Sequence, residues 1–282
     1  MVLDKGTSGN IFDFKIKRQI LEHYDKEADT YDSEDLIDHR PENDYVFWHY
    51  LRNALGPGGK KAVLDVGGGT GRVAIPLVNE GHEVLIVDLS RQMLLQARKK
   101  SNESERGSLL QLVQADAESL PFHDRVTFDL VICLGDVLSY CNTDIAIDEI
   151  VRVLKTAGEL FVGVDNRYAL AAEVLDLELD VKKAEEFVKT GVGHYPEDWG
   201  GHLVKAFTPD ELRQHLGRHG ITIQDLIARP FLTRGLTRQK RKRLYRDSTK
   251  TSILCELELM ICKEPSILGA SAVLFAVGTK TK

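Results

Sequence analysis

Three aspartates, Asp65, Asp88 and Asp116, each stand near the end of a short apolar run, and the glycine-rich stretch Gly67-Gly68-Gly69-Thr70-Gly71 follows the first of them. A strand, a glycine turn and a helix in that order bring backbone against a nucleotide-like ligand at the carboxyl edge of a parallel sheet. The glycines serve because a Cβ would block close approach and because tight turns often need positive φ. Spacing narrows the ligand. A dinucleotide fingerprint beginning at Gly67 needs its third glycine at position 72, which is Arg72, and no phosphate-loop pattern G-x-x-x-x-G-K-[ST] occurs. What remains is G-x-G-x-G over Gly67, Gly69 and Gly71. Asp88 follows this turn by about twenty residues, where a carboxylate accepts hydrogen bonds from both hydroxyls of a ribose.

The elements that must position these groups follow from the pattern of apolar residues. Ile16 to Tyr31 and Tyr45 to Leu55 have helical spacing, and Gly56-Pro57-Gly58-Gly59 breaks the second. Strands and helices then alternate. Strands are expected over Ala62–Val66, Val84–Asp88, Leu110–Asp116, Phe128–Leu134 and Glu159–Val164, with helices from Ser90 to about Lys100 and from Asp144 to Leu154. Ser90 suits a helix N-cap. Residues 166–206 read as a largely polar helical insertion without strand signal. Thr208-Pro209-Asp210-Glu211 then carries a capping box, leading to strand Ile221–Ala228, a helical stretch Ile253–Cys262 and a last strand Ala272–Val277. Such alternation implies a doubly wound, seven-stranded, mostly parallel α/β sheet. The expected organisation is an N-terminal helical cap over residues 1–58 and a main domain over 59–282, with 166–206 inserted on the substrate side.

Composition sets further bounds. The chain has 282 residues, 43% hydrophobic and 28% charged, with net charge −6. Its apolar runs fall far short of the ~20 residues of a membrane span. Residues 1–10 lack the apolar core of a signal peptide. Cys133, Cys141, Cys255 and Cys262 form no C-x-x-C pair, so reduced thiols in a cytoplasmic protein, and no metal site, are expected.

The glycine pattern with Asp65 before it resembles motif I of the class I S-adenosylmethionine-dependent methyltransferases. The resemblance implies a Rossmann-like sheet and S-adenosylmethionine as cofactor. It also implies roles at successive strand ends: Asp88 and Leu89 at the ribose, Asp116 and the Ala117 N–H at the adenine, Met93 on the adenine face, and the Leu134 carbonyl at the methionine ammonium. Tyr24 and Tyr31 would fold over the cofactor from the cap. The tail, Leu257 to Pro265 with the strand after it, is similar to a family that methyl-esterifies a carboxylated wobble uridine in tRNA.

Methyl transfer is an SN2 displacement, so a protein must mainly align nucleophile, carbon and sulfur and exclude water; a base is needed only for a protonated acceptor. Asp136, just past the fourth strand, and His202 are the candidates for base or orienter. Tyr140, Asn166, Arg167, Tyr168 and His194 are candidates for the acceptor pocket, and the guanidinium of Arg167 would suit a carboxylate or phosphate. A small polar metabolite is the expected acceptor. Arg234, Arg238, Lys240, Arg241, Lys242, Arg243 and Arg246, with no acid among them, make tRNA the alternative partner. A third reading is a cofactor-binding regulatory protein without transfer activity.

Overall fold

The computed structural model describes residues 12–33 and 40–281; the N-terminal residues 1–10 read above lie outside them. Helices α1 (Phe14–Glu27) and α2 (Pro41–Leu55) precede β1 (Ala62–Val66), α3 (Ala74–Glu80), β2 (Glu83–Asp88), α4 (Arg91–Asn102), β3 (Leu110–Gln114) and β4 (Phe128–Cys133). Then come α5 (Thr143–Val153), β5 (Leu154–Asp165), α6 (Arg167–Glu178), α7 (Val181–Thr190), β6 (Val192–His194) and β7 (Leu203–Lys205). The chain closes with α8 (Pro209–Arg218), β8 (Ile221–Arg229), α9 (Arg238–Tyr245), α10 (Ser248–Ile261), α11 (Pro265–Leu268) and β9 (Val273–Lys280).

Seven strands form one sheet in the order β3-β2-β1-β4-β5-β9-β8, antiparallel only where β9 meets its neighbours. Strand β1 is the hub. Its Leu64 lies opposite Leu85 of β2 and Val131 of β4, and both neighbours run parallel to it. Because the chain leaves β1 toward β2 on one side and reaches β4 on the other, the crevice for a ligand opens at the carboxyl end of β1. Each face of the sheet buries its own apolar cluster. Leu51, Leu77 and Leu94 of α2, α3 and α4 pack on one face, and Ile147, Ile150 and Leu212 of α5 and α8 on the other.

Local chemistry sets the helix starts. The Ser90 hydroxyl accepts the Met93 N–H at 3.1 Å, and Thr208 with Glu211 forms a full capping box with Pro209 in the first turn. Boundaries shift where periodicity carries no information. Strand β3 ends at Gln114, so Asp116 stands in the loop beyond it, and Leu134 likewise follows the end of β4.

Two departures from the sequence reading matter for the site. Helix α2 buries Phe47, Tyr50 and Leu51 against the sheet. It therefore belongs to the α/β core, and the cap reduces to α1 and the residues after it. The segment 166–206 is not wholly helical: after α6 and α7 it closes with a hairpin in which Gly193 pairs with Val204. Such three-residue strands fall below what alternation can reveal. This segment joins α1 in a third apolar cluster, where Ile20 meets Leu170, Val174, Phe187 and Val204.

The linker from β8 to α9 is anchored by Glu258 of α10. This carboxylate, 2% exposed, accepts the Phe231 and Leu232 N–H groups at 3.2 and 2.6 Å. Glu258→Ala leaves both donors without that partner, so a stability loss of roughly 1–3 kcal/mol is expected in urea unfolding. An unchanged midpoint would refute the anchoring role.

Candidate active site

Gly67 continues β1 into the turn with φ +70, and a Cβ there would lie 2.0 Å from the Val137 side chain, so only glycine lets the turn close against the loop after β4. Gly69 donates its N–H to Asp88 Oδ2 at 2.9 Å, while Ser90 N–H reaches Asp88 Oδ1 at 2.8 Å. Burial raises the Asp88 carboxyl above its usual range, and these two N–H groups pull it back down. The carboxylate thus stands fixed at the mouth of the turn.

A cleft open to solvent runs along the carboxyl ends of β1, β2 and β3. Gly67, Gly69, Asp88 and Leu89 line one part of it, Met93, Asp116 and Ala117 another. Tyr24, Tyr31 and Tyr140 close it from above. The sequence reading placed Tyr140 with the acceptor; it borders the cofactor cleft as well. The lining suits an adenosine, with acceptor oxygens on Asp88 and Asp116 and apolar side chains between them. Nothing lies within 3.4 Å of a Cβ placed on Gly69, so the cleft is open above that backbone.

Three expected cofactor residues stand elsewhere. Asp65 is 3% exposed and lies beneath the turn, 2.7 Å from where a Gly68 Cβ would sit. Its Oδ2 is buried without a hydrogen-bond partner, and burial, with Asp88 nearby, pushes its carboxyl up to about 7. Gly71, at φ +81, packs against Ile75 and Ala97 rather than the cleft, so it serves helix packing. Leu134 lines a second cleft with Gly135, Asp136, Arg72, Arg229 and Asp44. The two clefts share Gly135.

Helix α1 covers the first cleft through Lys17, Ile20 and Tyr24. Lys17 Nζ contacts Asp116 Oδ2 at 2.6 Å and Glu118 Oε1 at 2.8 Å. Burial opposes the charge on Lys17, but these two carboxylates outweigh it and raise the ammonium's pKa. Three further polar links hold the cap residues down: Ser90 Oγ to Asp25 at 2.5 Å, Thr70 Oγ1 to Asp32 at 2.8 Å, and Lys100 Nζ to Asp32 at 2.6 Å. Lys17 carries no motif and was not legible in the sequence.

Where the cap meets the insertion, aromatic rings gather about two carboxyls. Tyr140 stands 6.2 Å from Tyr24, 6.2 Å from Tyr195 and 5.9 Å from His202, all edge-on. The Tyr195 hydroxyl donates to Asp165 Oδ2. Burial raises the Asp136 carboxyl to about 6, and burial plus Asp136 raises Asp165 well above its usual range. Asp136 adopts φ +67, a backbone region uncommon outside glycine. His202 is held below its usual pKa by burial and by His23, whose ring lies 4.4 Å away. Asp165 and Tyr195 were missed in the sequence reading. An acid closing the fifth strand was a visible signal for Asp165; nothing marked Tyr195.

The other acceptor candidates are structural or remote. Asn166 is fully buried, capping α6 through the Tyr168 N–H and donating to the Leu268 carbonyl at 2.7 Å. Arg167 pairs with Glu211 at 2.5 Å beneath Gly191, so its guanidinium fastens α6 to α8 instead of meeting an acceptor. Tyr168 is 50% exposed, and His194 is exposed on the hairpin. The basic run is also partly committed. Arg234 donates to the carbonyls of Ala270 and Ala169, and Arg241 to that of Leu236.

A family model described as a methyltransferase domain matches residues 63–158. Residues 63–158 carry a methyltransferase domain. An uncharacterised protein of Mycobacterium bovis is 35% identical over 108 residues, 38% of this chain and 38% of that protein. The ubiquinone/menaquinone biosynthesis C-methyltransferase of Azotobacter vinelandii is 36% identical over 103 residues, 36% of this chain and 40% of that enzyme. The chain thus spans about two fifths of the length of these curated relatives. Two solved structures share its fold. The CcbJ methyltransferase of Streptomyces caelestis has a TM-score of 0.59 at 17% identity, covering 91% of this chain and 96% of its own. The 1,6-didemethyltoxoflavin-N1-methyltransferase of Burkholderia thailandensis, bound to its substrate and S-adenosylhomocysteine, has a TM-score of 0.58 at 16% identity, covering 99% and 94%. The tail likened to tRNA-modifying enzymes lies outside the matched residues. Among the described residues, no helix is long and apolar enough to cross a membrane.

Asp65 makes the turn pH-sensitive. Burial holds its folded carboxyl at about 7 against an ordinary 3.8, so it is neutral in both states below about pH 4 and its cost to stability builds as pH rises from about 4 to about 7. Asp65→Asn should therefore match wild type in thermal unfolding near pH 4 and exceed it at pH 8, by a difference on the order of a few kcal/mol. An equal difference at both pH values would contradict this burial.

Proposed function

We propose that this methyltransferase moves the sulfonium methyl of S-adenosylmethionine to an O or N atom of a small polar metabolite. The observation that carries the reading is the cluster of Tyr24, Tyr140 and Tyr195 where α1 meets the insertion, with Tyr195 donating to Asp165 and Asp136 lining the adjoining cleft. Tyr140 and Tyr195 are 8% and 6% exposed, a scale suited to a small acceptor excluded from water. Asp88 would take the ribose hydroxyls and Asp116 with Ala117 the adenine. The second cleft, with the Leu134 carbonyl and the guanidinium groups of Arg72 and Arg229, suits the cofactor's amino-acid end. When bound, the cofactor supplies an electrophilic methyl on a sulfonium.

The protein's own part is alignment and proton handling. The acceptor would be seated against Asp136, whose raised pKa lets it take a proton near neutrality. The domain line drawn from sequence enters here too: residues 166–206 would form the acceptor-side wall, and α1 the cofactor lid. A purely regulatory role is less favoured, because a buried carboxyl pair costs stability and binding the cofactor does not require it. A tRNA acceptor finds less support, since Arg234 and Arg241 already bond to backbone carbonyls. A cytoplasmic location remains part of this reading.

Purified protein, methyl-labelled S-adenosylmethionine and a cell extract divided into tRNA and low-mass fractions test the proposal. Label should enter the low-mass fraction, and Asp136→Asn should lower turnover at least ~10-fold, the usual scale of a lost acid–base group. Label confined to ribonuclease-sensitive material would overturn the metabolite reading.

A further inference from the structure

We propose that the acceptor is a cationic amine, bound as an ammonium by the Asp136–Asp165 pair inside the tyrosine cage and methylated on nitrogen. This rests on the function proposed above and specifies its substrate class.

The argument begins with what surrounds the carboxyls. Asp136 follows β4 and Asp165 ends β5, the parallel strand beside it, and Asp136 lines the second cleft. The hydroxyl of Tyr195 donates to Asp165. One hydroxyl proton cannot serve two carboxylates at once. The pair therefore has acceptor capacity beyond its protein donor, and an ammonium, with three N–H groups, supplies what is lacking.

The walls point the same way. Tyr195, which reaches Asp165, continues through Tyr140 and Tyr24 to Tyr31 as a run of rings 6.2 Å apart. Ring faces attract ammonium ions, and a desolvated site strengthens that attraction. The guanidinium of Arg167, the nearest candidate for holding an anionic acceptor in the insertion, is spent on Glu211. His202 is kept neutral by burial and by His23, so it adds no cation that would repel an amine.

The chemistry balances with groups already present. The bound ammonium gives one proton to Asp136. Its nitrogen lone pair then forms the new bond to the methyl carbon as the carbon–sulfur bond breaks, and that electron pair returns to sulfur, leaving a neutral thioether. The product is an N-methylammonium, and Asp136 passes its proton to solvent when the product leaves.

The test uses full-length protein with S-adenosylmethionine bearing a deuterated methyl group and a low-mass metabolite extract. Products are separated by charge on a cation exchanger and told from unspent donor by mass. Deuterated product in the retained, amine-bearing fraction is the expected result. Deuterated product only in the neutral or acidic fraction overturns the amine assignment while leaving the methyltransferase reading intact. Absence of product from every fraction contradicts that reading itself. A second arm uses the amine so identified with Asp165→Asn and Tyr195→Phe, each first checked for folding by thermal unfolding. The KM for amine should rise at least tenfold with the Kd for S-adenosylmethionine within twofold. A variant that weakens S-adenosylmethionine and spares the amine would mean the carboxyls serve the sulfonium, and would overturn the proposal.

Discussion

The Asp88 carboxylate, held between the Gly69 and Ser90 N–H groups, ties the ends of β1 and β2 together, and the geometry of the site follows from that tie. It fixes the glycine turn against β2, orients the start of α4 through Ser90, and leaves a charged acceptor facing the cleft. The turn itself can close only because Gly67 leaves room for Val137, which brings the loop after β4 to the same edge. The cofactor cleft is thus a consequence of two backbone approaches and one carboxylate, and it lies at the switch point of the sheet where such ligands bind.

Over this rigid edge sits a more polar upper layer. Helix α1 is held by Lys17, Asp25 and Asp32 through contacts at its rim, each of modest strength when part-exposed, and by Ile20 in the cluster shared with the insertion. Cofactor entry has to pass this layer. The same layer supplies the Tyr24 and Tyr195 rings around the buried acids. Charge that is costly to bury is concentrated at Asp65, beneath the glycine turn, and at Asp136 and Asp165, at the ends of β4 and β5, as expected where function rather than stability selects the residue.

Much of the fold was legible in the sequence. The alternation of apolar strands with helices led to a seven-stranded, mostly parallel sheet, and Ser90 and Thr208 announced their helices through capping chemistry. That Gly67, Gly69, Asp88 and Asp116 line one cleft was legible too, because they occur at fixed offsets along successive strands. The acceptor side was not. Arg167 and Asn166 sit at a strand end, as a binding residue would, yet Glu211 and the Leu268 carbonyl, distant in sequence, claim them. Tyr195 and Lys17 reach the site only through tertiary packing, which no local spacing records. The hairpin β6–β7 is too short to leave a periodic trace.

The central claim is that the cleft under α1 is where the cofactor binds, with its adenosine between Asp88 and Asp116. A crystal structure of the complex with S-adenosylhomocysteine tests this most directly. The account predicts ribose hydroxyls on Asp88, the adenine beside Met93 and Ala117, and the sulfur turned toward Gly135 and the Asp136–Asp165 pair. A nucleoside seated away from Asp88, or a sulfur pointing away from those acids, would contradict it.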